Sequence, residues 1–117
     1  MLNCSISKEG DVEMVYLSGE LDATSASELS KTLLDLVKRE SHHIILEMGD
    51  VSYISSNGLL PLLEWLEATK HVSGNRKLAV CNLTEFAQEV FRILSFDRKF
   101  PVFDDPDEAL RAFRQYG

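Results

Sequence analysis

"HHIILEMGDVSYISSNGLLPLLEW", His42 to Trp65, joins three patterns in a single stretch. The first half is a short apolar run rich in β-branched residues, the composition of a strand buried on both faces. In the second half Leu59, Leu62, Leu63 and Leu66 recur at helical spacing, which predicts a helix over Asn57–Lys70. Between them stand four small polar residues, Ser55, Ser56, Asn57 and Gly58. A buried strand that passes through a tight polar turn into an apolar helix is half of a β-α-β unit, so the stretch calls for parallel strands carrying helices. Pro61 falls at the edge of the first helical turn, where its missing N–H is tolerated.

Working towards the N-terminus, "SGELD" precedes a segment in which Ala26, Leu29, Leu33, Leu36 and Val37 share a helical face. Ser25 and Glu28 have the spacing of a capping box for that helix. Before it, Leu2 to Ser7 alternates apolar and polar residues, Lys8-Glu9-Gly10-Asp11 interrupts, and Val12 to Leu17 follows, the pattern of a hairpin. Towards the C-terminus, "RKLAVCN" is another buried strand, and Asn82 with Glu85 is a second capping box, for a helix through Phe86, Val90 and Leu94. "FPVF" is a last strand. Asp105, Pro106 and Glu108 supply a cap, a first-turn proline and a returning carboxylate for a closing helix through Leu110 and Phe113. The predicted order is ββαβαβαβα: an α/β fold with a mixed, mostly parallel sheet of about four or five strands and about four helices.

The 117 residues suit one domain, 1–117, with a proper hydrophobic core. Apolar residues at 44% and charged residues at 26% are ordinary for a soluble globular chain. The net charge is −7 and the twelve basic residues never form a stripe, which argues against nucleic acid and against direct docking on an anionic membrane. It favours a protein partner with a basic face. Cys4 and Cys81 stand singly in apolar segments and are expected to be buried, reduced thiols. No basic-then-apolar leader and no run of membrane-spanning length is present, so the chain is expected to be cytoplasmic.

Catalytic constellations are missing. His42 and His43 open a strand and His71 ends a helix, at the end of an α/β layout opposite the serines, so no serine–histidine pair is expected. "SSNG" is too short for a phosphate loop. Asp104, Asp105, Asp107 and Glu108 are accounted for by the dipole of the last helix. No enzyme activity, cofactor or metal is therefore expected. The serine turn remains, at the carboxyl end of a strand, where open α/β sheets gather functional groups. "GELD" is a second such place, so Asp22–Ser25 and Ser55–Gly58 are expected on one edge of the sheet. Capping needs only one of the two serines. Gly58, which costs about 1 kcal/mol in a helix relative to alanine, is read as giving a partner close access to the turn. A hydroxyl at a helix N-terminus is well placed to carry a phosphate, whose charge of about −1.5 to −2 meets the positive end of the dipole.

With these residues in view, the chain resembles the STAS domains, specifically the small single-domain anti-sigma factor antagonists of bacterial partner-switching systems. Three blocks carry the resemblance: "LSGELDATSASEL", "ILEMGDVSYISSNGL" and "NLTEFAQEVFRILSFDRKFPVFDDPDEAL". Family members commonly read Asp-Ser-Ser-Gly or Asp-Ser-Thr-Gly at the turn, and the first serine is phosphorylated by a cognate anti-sigma factor kinase. Aligned on Gly58, that serine is Ser56; Ser55 stands at the aspartate position, Asn57 at the second hydroxyl, and Leu60 where glycine is frequent. Asp22 matches the family's acidic residue in the neighbouring turn. The resemblance implies a partner surface of Asp22, Thr24, Ser55, Asn57 and Gly58 around the phosphoacceptor Ser56. It implies a histidine-kinase-like ATPase as the anti-sigma factor kinase, a serine phosphatase, and a chain that is a monomer or weak dimer. The same turn would also serve a cytoplasmic STAS subunit of an ABC-type phospholipid transporter, or a signalling scaffold that is not phosphorylated.

Overall fold

Each predicted strand–helix alternation appears in the computed structural model, which describes residues 1–39, 43–72 and 76–114. The strands are β1 (Leu2–Glu9), β2 (Val12–Leu21), β3 (His43–Ile54), β4 (Lys77–Cys81) and β5 (Val102–Phe103). The helices are α1 (Ala26–Lys38), α2 (Leu60–Thr69), α3 (Glu85–Ile93) and α4 (Pro106–Arg114). Short 3-10 turns at Asn57–Leu59 and Phe96–Arg98 precede α2 and follow α3. The strands lie in the order β1-β2-β3-β4-β5; β1 is antiparallel to β2, and every later pair is parallel. His42, which the sequence places at the start of the central strand, lies outside the described residues.

Side-chain alternation sorts the sheet into two faces. Val15, Leu17, Ile44, Leu46, Leu78 and Val80 point to the larger core, filled by Leu29, Leu33 and Leu36 of α1, Leu62 and Trp65 of α2, and Ala87 and Phe91 of α3. Val12, Met14, Ile45, Ala79 and Cys81 point the other way, against Ala109 and Phe113 of α4. The central strand is thus buried on both faces along its first half, as its apolar run requires. Neither cysteine is in a disulfide, and burial, with Glu47 and Asp105 adding repulsion, pushes the Cys81 thiol up to about 12.

Two capping boxes are not formed. Ser25 precedes α1, but its side chain makes no capping bond; Asp22 instead holds the turn. Asn82 adopts φ of 58°, and its side-chain amide donates to Glu47 Oε2 at 3.0 Å, so Thr84 caps α3 by accepting the Ala87 N–H at 3.1 Å. At α4 the expected cap holds: Asp105 Oδ1 accepts the Glu108 N–H at 2.8 Å. The inward face of α3 also differs from expectation. Ala87 and Phe91 are buried and Val90 and Leu94 half-buried, whereas Phe86 faces out.

Candidate functional site

The site is built where β2 and β3 end side by side. Leu21 and Ile54 are register partners, and the ladder runs one step further, with the Ser55 N–H donating to Leu21 O at 3.0 Å. Just upstream, β2 is bulged, and Gly19 sits at φ of 106°, a left-handed value that suits glycine. A Cβ there would stand 2.0 Å from Met1 O. The register with β3 shifts between Gly19 and Glu20, after which Glu20 and Leu21 pair with Tyr53 and Ile54.

Asp22 organises the first turn. Its Oδ1 accepts from the Thr24 hydroxyl at 2.7 Å, the Thr24 N–H at 3.0 Å and the Ser25 N–H at 3.1 Å. The Thr24 hydroxyl and then the Ser25 N–H hold the Asp22 carboxyl below its usual pKa. Ser25 is tucked beneath, its hydroxyl donating to Glu20 O at 2.7 Å and accepting from the Asp22 N–H at 3.0 Å. Thr24 is exposed and Asp22 half-buried, so the anion is fixed in position yet reaches the surface.

The second turn divides the two serines. Ser55 is half-buried and accepts the Gly58 N–H on its hydroxyl at 3.2 Å and on its carbonyl at 3.0 Å. Ser56 is exposed and makes no side-chain capping bond, although it stands at the head of the 3-10 turn that runs into α2. Asn57 beside it is also exposed. Capping thus occupies Ser55 and leaves the Ser56 hydroxyl presented at a helix N-terminus.

Gly58 has a different task from the one its position suggested. It is buried, and a Cβ there would lie 2.1 Å from Leu21 O and 2.8 Å from Asp22 N. Its small size lets the serine turn press backbone to backbone on the Asp22 turn; it does not open the surface to a partner. Pro61 occupies the first turn of α2, buried and with no N–H to satisfy. Below the two turns, α1 and α2 flank a groove of about 400 Å³ lined by Ala23, Ala26, Asn57, Leu60 and Glu64 among others, and the Ser30 hydroxyl donates across it to Glu64 at 2.7 Å.

The structure thus brings Asp22, Thr24, Ser55, Ser56, Asn57 and Gly58 together at one end of the sheet, with Thr24, Ser56 and Asn57 exposed. Among the described residues no three His, Cys, Asp or Glu side chains are grouped to hold a metal ion, and no helix is long and apolar enough to cross a membrane. One surface feature escaped the sequence reading: the rings of Tyr53 and Phe86 stack at 6.0 Å and 22° beside this end. Phe86 follows the helical spacing of Val90 and Leu94 closely enough to be taken for core.

A family model for the STAS domain matches residues 3–109. BtrV of Bordetella bronchiseptica, assigned as an anti-sigma factor antagonist, is 32% identical over 98 residues, covering 84% of this chain and 83% of that protein. An anti-sigma factor antagonist from Mycobacterium paratuberculosis superposes with a TM-score of 0.85 at 20% identity, over 97% of this chain and 95% of the other. SpoIIAA of Bacillus in its phosphorylated form superposes with a TM-score of 0.70 at 16% identity, over 95% and 99%. Its unphosphorylated form gives 0.68 at 18%, over 98% and 99%. At these identities the solved structures speak for the fold.

Proposed function

This chain belongs to the STAS domain family, and from that premise we propose that it is an anti-sigma factor antagonist. In its unphosphorylated form it binds an anti-sigma factor kinase of the histidine-kinase-like ATPase type and so frees a sigma factor. Phosphorylation of Ser56 ends the complex and a serine phosphatase restores it. The chain itself is a cytoplasmic binding module that catalyses nothing.

The observation that carries this reading is the division of labour between the serines: Ser55 accepts the Gly58 N–H, while Ser56 is exposed and uncommitted. A phosphate on Ser56 adds about −1.5 to −2 charge at the positive end of a helix, so the fold tolerates it. Covered by a partner, the same group would have to shed water next to the Asp22 carboxylate, and desolvation and like-charge repulsion then act together. With serine standing just before the acceptor where relatives keep an aspartate, Asp22 supplies a carboxylate from the adjoining turn. That SpoIIAA is known in phosphorylated and unphosphorylated forms is consistent with a switch of this kind in the family. The test is to incubate the protein with its cognate kinase and ATP and map the product by mass spectrometry. One phosphate on Ser56, and none on Ser56→Ala, is expected; label on Ser55 or elsewhere overturns the assignment.

A further inference from the structure

We propose that the stacked rings of Tyr53 and Phe86, continued along α3 to Ile93, form a second contact for the same anti-sigma partner and receive a basic, arginine-bearing segment of it. The inference rests on the reading of Ser56 given above and adds to it a surface that phosphorylation does not touch.

Tyr53 is 47% exposed, Phe86 51% and Ile93 65%, although all three are large and apolar. Phe86 and Ile93 stand seven residues apart on α3, on one stripe of the helix, with half-buried Val90 between them. Part of the stack has a local reason. Pairing of β3 with β4 stops at Glu47 and Cys81, while β3 runs on beside β2 to Ile54, and Phe86 stacks on Tyr53 in this upper segment, which has no strand partner on its β4 side. Shielding of that kind accounts for neither the half of each ring that remains in water nor for Ile93.

Position and charge select the occupant. Tyr53 is three residues before Ser56 on the same strand end, and α3 starts from the same carboxyl edge of the sheet, so a body that covers the serine turn extends naturally onto the rings. The rim carries an excess of carboxylates: Glu85 adjoins Phe86 and has no ion pair among the described residues, while Glu20, the register partner of Tyr53, is paired with the N-terminal amine and Glu89, one turn further on, with Arg92. A guanidinium laid on an aromatic face with carboxylates at its edge is favoured by the ring quadrupole and by charge together. A second copy of this chain would set the same acidic rim against itself, in a molecule whose net charge is already −7.

The test is calorimetric titration of the anti-sigma factor with the wild type and with Tyr53→Ala, Phe86→Ala, Glu85→Lys and Ser56→Asp, each checked for an unchanged circular dichroism spectrum. The ring truncations should each weaken binding by about tenfold or more, as central aromatic anchors do. Glu85→Lys, which removes no ring, should weaken it at low salt, with the deficit closing at about 0.5 M NaCl as screening sets in. Ring variants that bind within about twofold of wild type while Ser56→Asp fails to bind would overturn this inference and leave the reading of Ser56 intact. Wild-type protein that binds no anti-sigma factor would overturn both. Self-association of the wild type that Phe86→Ala abolishes would give the surface to a second copy and overturn the assignment of the partner.

Discussion

Replacing Ser55 by alanine removes the hydroxyl that accepts the Gly58 N–H, whereas replacing Ser56 removes a hydroxyl with no capping bond. Loss of a serine cap costs about 1 kcal/mol, or about 4 °C in the midpoint for a domain of this size. Thermal denaturation should therefore show Ser55→Ala less stable and Ser56→Ala unchanged; the reverse order would exchange their roles. Gly58→Ala should be the most harmful of the series, costing about 3 kcal/mol, because the added methyl meets the Leu21 carbonyl and the Asp22 backbone and neither can swing away. The importance of Gly58 could be read from the sequence, but its reason could not. A glycine in a first helical turn signals close approach, and only the fold identifies the approaching group as the chain's own β2 end.

At the scale of elements, helix starts show where pattern and structure part. Ser25 with Glu28 and Asn82 with Glu85 both have the capping-box spacing, and neither forms one. Asn82 is drawn away by Glu47, 35 residues distant, and Ser25 by the Glu20 carbonyl beneath it. Such competitors come from neighbouring strands, which spacing along one segment does not encode. Asp105 at α4 succeeds: its carboxylate accepts the Glu108 N–H, and among the described residues it makes no competing side-chain hydrogen bond. Strands and helices themselves were readable throughout, since β-branched runs alternate with helical stripes and each stripe has one face to bury. The Asp22 turn offers a test at this scale. The folded pKa of Asp22 is lowered from 3.8, so its contribution to stability is present above that value and is lost as pH falls through the folded value. The midpoint difference between wild type and Asp22→Asn should be open at pH 6 and should shrink as the pH is lowered below about 3.8. A difference that does not vary with pH would show that the carboxylate's charge does not hold the turn.

For the molecule as a whole, the switch proposed at Ser56 would act on a turn that the fold holds at several points. The serine turn is tied to β2 through Ser55 and Leu21, pressed on the Asp22 turn at Gly58, and backed by the core residues Leu59 and Leu62. A phosphate added there changes the charge of a surface whose backbone is already fixed. The edge where that turn lies was visible in the sequence, because parallel strands followed by helices must place their turns together; the aromatic pair beside it was hidden, because Phe86 keeps the helical spacing of Val90 and Leu94 while the fully buried stripe of α3 runs through Ala87 and Phe91. Whether phosphate on Ser56 ends the complex is decided by the affinity for the anti-sigma factor, measured by titration with the wild-type chain before and after stoichiometric phosphorylation. A loss of at least about a hundredfold is expected on phosphorylation, equivalent to about 2.7 kcal/mol, with Ser56→Ala binding like the unmodified chain. Equal affinities of the two forms would contradict it.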